Sequence, residues 1–295
     1  MKITNVLKWI GIIIAGLLIA FLAFTWFGTY HPADVEQMSV TCPASAPTLQ
    51  AGQSLKIMTW NVQFMAGKNY TFWFDVPNSD GPDERPSPAD ITQTFSEVAR
   101  VIKDEDPDIV MLDEVDNGAA RTDYEDQLAR LKELLPDDYQ CSTSAYYWKA
   151  IYVPHPRIHG KVGLTLVVLS KYKIASADRY QLALAPNNLI MQQFNTKRAM
   201  LAAHLPIQQG GEFVDIATHL DAFAQGSNTM ERQVQQVDDR LSDLNSKGLA
   251  WVIGGDFNLL PPDDASIQRL TAGHGTYYNP QSEIKRVRPP GRSRR

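Results

Sequence analysis

Five places in the 295-residue chain join an apolar run to a side chain able to hold a metal, a phosphate or a proton. KIMTWNV (56–62) delivers Asn61, and DIVMLDEV (108–115) delivers Glu114. KRAMLAAHL (197–205) opens with Arg198, while FVDIATH (213–219) ends at His219, with Asp221 two residues on. WVIGGDFN (251–258) runs into Gly254 and Gly255 and then sets Asp256 and Asn258 two positions apart. Each residue alone has an ordinary explanation. Asn61 and Asn258 are turn formers. Glu114 lies in a run with Asp113 and Asp116 of the kind that solvates a surface, Arg198 suits an ion pair, and His219 suits a hydrogen-bonded core. Together they say more. Hard oxygen donors match Mg²⁺ or Mn²⁺, which takes one or two carboxylates plus waters and substrate phosphate. A cation, a histidine and an Asp–Asn pair added to that set make most of the equipment for metal-assisted attack of water on a phosphoester. Residues two apart in extended chain share a side, so Asp256 and Asn258 are expected to face one pocket.

The elements that must position these groups alternate between strand and helix. Strands are predicted at 56–62, 108–115, 164–170, about 197–205, 213–219 and 250–254, with helices between several of them. SPADITQTFSEVARVIKDEDP has a Ser-Pro start, Ile91, Phe95, Val98, Val101 and Ile102 at helical spacing, and a Pro stop. A second helix is expected at about 123–135. Met230, Val234, Val237, Leu241 and Leu244 make one apolar stripe of a third. Residues 66–90 read as a long loop and PHPRIHGKVG (154–163) as a shorter one. The result is a single α/β domain over 55–284, with 29–54 as a linker.

WIGIIIAGLLIAFLAFTWFG (9–28) carries no charge and, at a rise of about 1.5 Å per residue, matches the roughly 30 Å hydrocarbon core of a bilayer. Lys2 and Lys8 precede it, and TYHPADVEQ after it has acids and no Lys or Arg. The positive-inside bias then predicts a single-pass signal anchor, with residues 1–8 cytoplasmic and the body outside the cytoplasm. The chain holds 28 Lys and Arg against 33 Asp and Glu, and six of those 28 lie in the acid-free tail 285–295, so residues 1–284 carry a formal charge of −11. So acidic a body gives no broad attraction to nucleic-acid phosphates. Cys42 and Cys141, the only two cysteines, suit either a disulfide in an oxidising compartment or two buried thiols.

TWNV, DIVMLDEV, KRAMLAAHL, IATHLD and VIGGDFN, in that order over about 55–265, resemble the endonuclease/exonuclease/phosphatase superfamily. The resemblance implies a four-layered α/β sandwich of two mostly antiparallel sheets with outer helices. It implies a Mg²⁺ (or Mn²⁺) held by Glu114 with Asn61 beside it, and a phosphate bound by Arg198 and Asn258. His219 would bear on the scissile phosphate, Asp256 would activate water, Asn258 would hold the phosphate or that water in line, and Asp221 would support them. Gly254 and Gly255 are expected to make room for the phosphate. The family pattern continues to a Ser-Asp-His segment, whereas no Asp-His dipeptide follows Asn258 here. The last strands of one sheet are therefore expected to be missing, activity is expected to be impaired, and the basic tail 285–295 is expected to be disordered. The activity expected is phosphoester hydrolysis at a membrane, with a lipid or glycolipid headgroup favoured over DNA. A nuclease outside the cytoplasm and a non-catalytic phosphate-binding domain are the alternatives.

Overall fold

The computed structural model describes residues 3–73, 81–222 and 226–259. An apolar helix, α1 (Ile3–Phe27), precedes ten strands and four further helices. The strands are β1 (Val35–Met38), β2 (Val40–Thr41), β3 (Ile57–Asn61), β4 (Ile109–Asp116), β5 (Cys141–Val153), β6 (Gly160–Ser170), β7 (Ser176–Gln181), β8 (Ala199–Pro206), β9 (Glu212–His219) and β10 (Ala250–Asp256). The helices are α2 (Pro88–Glu105), α3 (Gln127–Leu134), α4 (Leu189–Phe194) and α5 (Thr229–Ser246).

Two five-stranded sheets form, in the orders β2-β5-β6-β4-β3 and β1-β7-β8-β9-β10. All pairings are antiparallel except β3 with β4 and β9 with β10. Those two parallel pairs are each joined by a helical crossover, α2 in one sheet and α5 in the other, as parallel strands require. One core lies between the sheets, around Ile109, Met111, Leu166, Leu201 and Ala217. A second packs α2 and α3 on the outside of the first sheet through Phe95, Ile102 and Leu131. A third packs α5 on the outside of the other sheet through Met230, Val237 and Leu244. These are the four layers expected, and each such buried side chain contributes roughly 1.5–3 kcal/mol.

Local chemistry explains the element ends. The Ser87 hydroxyl accepts the Asp90 N–H at 3.1 Å, with Pro88 in the first turn, and α2 stops at left-handed Asp106. Asp126 caps α3 in the same way, through Ala129 N–H at 3.1 Å.

Several sequence expectations are corrected. Residues 29–54 are not a free linker: β1 and β2 lie within them and join different sheets. The reason is that short, half-exposed edge strands carry little hydrophobic period. Cys42 and Cys141 are disulfide-bonded, which ties this segment to the start of β5. β6 begins at Gly160, inside the expected loop, and β7 and α4 had no clear signal. One helix among the described residues, α1, is long and apolar enough to cross a membrane. The expected tail and missing last strands lie outside the described residues.

Candidate active site

Parallel pairing brings strand C-termini together, and here it does so twice. Asn61 at the end of β3 pairs with Asp113 of β4, and Asp256 at the end of β10 pairs with His219 at the end of β9. Side-chain alternation then decides which groups point between the sheets. Ile57, Ile109, Met111, Phe213, Ala217 and Val252 belong to the inter-sheet core. Asn61, Asp113, His219 and Asp256 share their parity, so they line one mouth of that core.

Glu114 reaches the same mouth by a different route. Strict alternation would send it outward with Val110 and Leu112, which pack toward α2. A bulge between Leu112 and Val115 and a left-handed backbone at Glu114 (φ 58°) re-aim it, and Val115 takes the outward place instead.

The groups meet closely. The Asn61 amide donates to Glu114 Oε1 and to Asp256 Oδ2, both at 3.0 Å. His219 Nε2 stands 4.0 Å from Glu114 Oε1 and 3.8 Å from Asp256 Oδ2. Those gaps are too long for direct hydrogen bonds, yet short enough for one oxygen atom to touch all three groups. Glu114 and Asp256 keep 21 % and 34 % of their side-chain exposure, so the cluster opens to solvent on one side.

Arg198 sits deeper. It is buried, with its guanidinium carbon 5.1 Å from the Tyr147 ring centre, and that ring lies 5.4 Å from the His219 ring. Arg198 Nε and Nη1, the Tyr147 hydroxyl and His219 Nδ1 have no hydrogen-bond partner among the described residues. A buried cation with unused donors is costly unless an anion meets it.

Burial lowers His219 well below the ordinary histidine range, with the Arg198 charge adding to the effect, so the imidazole is neutral near pH 7. Burial raises Glu114, against the Asn61 hydrogen bond and the Arg121 and Arg198 charges. Burial also pushes Asp113 up to about 8, opposed by the hydrogen bond from the Asp256 backbone.

One expectation about GGDFN changes. A Cβ on Gly254 would fall 2.6 Å from the end of the Met111 side chain of the opposite sheet, and one on Gly255 (φ 136°) would fall 1.8 Å from the Thr218 carbonyl oxygen, so Gly255 serves close strand–strand approach. Asp256 and Asn258 are joined, but not by strand alternation. Asn258 is left-handed (φ 49°), its N–H donates to Asp256 Oδ1 at 2.9 Å, and its amide donates to the Leu220 carbonyl at 2.9 Å. Its observed bonds hold Asp256.

Five residues that sequence reasoning passed over support the cluster. Asp113, grouped with solvated acids, is buried and accepts the Asp256 N–H at 2.6 Å. Its strand parity with Ile109 and Met111 was the available signal. Gln127 and Gln233 are fully buried at matching places in the two halves. Gln127 accepts the Asp116 N–H at 3.0 Å and donates to the Phe64 carbonyl at 2.8 Å. Gln233 accepts the Asp221 N–H at 2.9 Å and donates to the Ala183 carbonyl at 2.7 Å. Asp116 and Asp221 each lie two residues past a site residue, so each glutamine fixes a strand end. Arg121 grips both Asp116 oxygens at 2.8 and 2.9 Å and stacks 3.5 Å over the Phe64 ring. Phe64 belongs to three consecutive left-handed residues, Gln63 to Met65, directly after the site's first strand. Tyr147, the fifth, had no separate signal within YYWKAIY.

The oxygen-rich donor set fits a hard divalent cation with an open shell. No three His, Cys, Asp or Glu side chains among the described residues form a ready cage, which Mg²⁺ does not require.

A family model described as Endonuclease/Exonuclease/phosphatase family matches residues 58–295. No curated protein sequence matches the chain. Similar solved structures include an endonuclease/exonuclease/phosphatase from Beutenbergia cavernae, at 24 % identity and a TM-score of 0.46, covering 70 % of this chain and 48 % of that one. The chain thus spans about half that relative's length. A mannosyl-6-phosphatase from Bacteroides thetaiotaomicron matches at 15 % identity and TM-score 0.42, over 75 % of this chain and 71 % of its own. A protein of the same family description from Leptotrichia buccalis matches at 17 % and 0.48, over 74 % of each chain.

Proposed function

The chain belongs to the endonuclease/exonuclease/phosphatase family, and from that we propose that it is a membrane-anchored, divalent-metal-dependent hydrolase of phosphodiesters. The observation that carries this reading is the buried Arg198, whose Nε and Nη1 have no hydrogen-bond partner among the described residues, near neutral His219, with Glu114, Asn61 and Asp256 at one mouth. Glu114, with Asn61 beside it, would hold Mg²⁺ or Mn²⁺, and the cation when bound supplies Lewis-acid polarisation of the phosphoryl oxygen.

The chain's own groups do the rest. Arg198 meets the phosphate charge in a site with little water, where it counts for more than at a surface. His219, being neutral, donates an N–H to a phosphoryl oxygen as charge grows on it, help commonly worth roughly 10²–10³ in rate. Asp256 accepts the proton of the attacking water at a carboxylate oxygen, while Asn61 and Asn258 hold that carboxylate in place. General base help of this kind is commonly worth about 10²–10⁴. α1 is the anchor in this reading, with the body outside the cytoplasm. A lipid or glycolipid headgroup is favoured over DNA because residues 1–284 carry −11.

The test is hydrolysis of bis-p-nitrophenyl phosphate by the full chain in detergent with Mg²⁺. Turnover should disappear with EDTA and fall at least about a hundredfold in Glu114→Ala. Phosphate binding without turnover in the unaltered chain would instead support a non-catalytic binding domain. Faster cleavage of plasmid DNA than of lipid phosphodiesters would support a nuclease.

A further inference from the structure

Outside α1, the exposed large apolar side chains of the described body are few, and five of them lie on the two elements, α4 and β5, that contact the end of α1. Leu189, Ile190 and Met191 form the first turn of α4, with Leu189 86 % exposed, and Ile151 and Tyr152 stand near the end of β5. The contacts that place them together are specific. The Phe24 ring lies 6.3 Å from that of Phe194, at the other end of α4. The Ile151 N–H donates to the Gly28 carbonyl at 2.8 Å, and Thr29 bridges Ala150. Trp148 Nε1–H donates to the Phe194 carbonyl at 2.7 Å, which ties β5 to α4. The Lys197 ammonium donates to the carbonyls of Gln192, Gln193 and Asn195 and so holds the far end of α4 rigid.

Phe24 is three residues from the end of α1, about 4.5 Å along its axis at a rise of 1.5 Å. Where α1 spans a bilayer, α4 therefore lies at the depth of its last turn, in the boundary between headgroups and acyl chains. The segments that carry this face, 139–177 and 182–211, contain no Asp or Glu, although Asp34 and Glu36 follow α1 closely. Continuity with α1 singles out lipid, rather than a second copy or another protein, as the occupant.

We infer that the exposed turn of α4 and the Ile151–Tyr152 end of β5 form a membrane-docking face that seats the domain on the lipid surface beside α1. This rests on the reading of α1 as a membrane span and is independent of the hydrolase reading. Lys197 links the docked helix to Arg198, its neighbour in the chain, so docking would hold the candidate site at a fixed orientation to the lipid surface.

The test uses the full chain reconstituted into vesicles of phosphatidylcholine and phosphatidylglycerol with brominated acyl chains. A bimane label at Met191→Cys should lose at least half its fluorescence relative to unbrominated vesicles, and one at Tyr152→Cys should do the same. A label at Tyr124→Cys, an exposed aromatic on the turn before α3, should not change. Replacing Leu189, Ile190 and Met191 together by Ser should reduce quenching at Tyr152→Cys at least twofold, with the far-ultraviolet circular dichroism unaltered. Unquenched labels at 191 and 152 in vesicle-bound protein would overturn the inference, as would equal quenching at 124. Unquenched labels that crosslink between chains would assign the face to a second copy and overturn it too. Failure of the chain to float with the vesicles would overturn the anchor reading, and with it this one. None of these readouts depends on turnover.

Discussion

The Asp113 carboxylate accepts the backbone N–H of Asp256 at 2.6 Å, although β4 and β10 belong to different sheets. This bond clamps the two sheets together at the mouth where the candidate catalytic groups meet. Asp113→Ala should lower turnover at least tenfold and stability by about 1–3 kcal/mol, the usual result of leaving a buried donor unpaired. Asp113→Asn keeps a carbonyl acceptor and should retain most of the stability. Steady-state kinetics beside urea unfolding checks both, and wild-type turnover in the alanine variant would remove the clamp from the account.

The buried glutamines make a paired prediction. Gln127→Leu removes the bonds to the Asp116 N–H and the Phe64 carbonyl, and Gln233→Leu removes those to the Asp221 N–H and the Ala183 carbonyl. Each should cost about 1–3 kcal/mol per unpaired group. The Gln127 change should also lower kcat more than it raises KM, because it frees the strained turn after Asn61. Equal kinetics with lowered stability would make Gln127 purely structural.

Asp215 shares the pH dependence with Asp113, since burial pushes both up to about 8. It is fully buried on β9, neither carboxylate oxygen has a partner among the described residues, and burial pushes its pKa up to about 8. The unfolded carboxyl releases its proton near 3.9. Between those values the folded chain holds more protons than the unfolded one, so this group's contribution is intact below about pH 4 and is lost as pH rises toward 8. The melting temperature should therefore fall from pH 5 to pH 8, and Asp215→Asn should flatten that slope. An unchanged slope in the variant would show that another group sets it.

The Cys42–Cys141 disulfide closes a long loop, with a sequence separation of 99. Removing such a bond typically costs about 2–5 kcal/mol. Cys42→Ser/Cys141→Ser should unfold at lower denaturant while keeping turnover at 25 °C, because the bond joins the end of edge strand β2 to the start of β5, away from the mouth. Loss of activity in a still-folded variant would show that the edge strands help to shape the site.

Much of this was legible in the residues themselves. The apolar runs gave six strands within a few residues of their observed bounds, and the stripe from Met230 to Leu244 gave α5. Asn61, His219 and Asp256 gather at one mouth because parallel strand ends carry their side chains to one place whatever the sequence distance, while Glu114 joins them through a bulge and Arg198 lies deeper. Other elements were not legible: β1, β2, β7 and α4 are too brief or too exposed to show a period, and bulges in β5 break its alternation.

The sequence by itself determined which groups are available and that strands deliver them. Tertiary structure alone decided three things. A bulge at Glu114 reversed its side, so alternation in the sequence pointed the wrong way. Glycine was required at 255 by the Thr218 backbone, atoms far off in the chain. Asp113, Gln127 and Gln233 became supports because burial leaves no water to satisfy the backbone groups they hold. In each case the cause is a neighbour brought close by folding, which no local pattern of residues encodes.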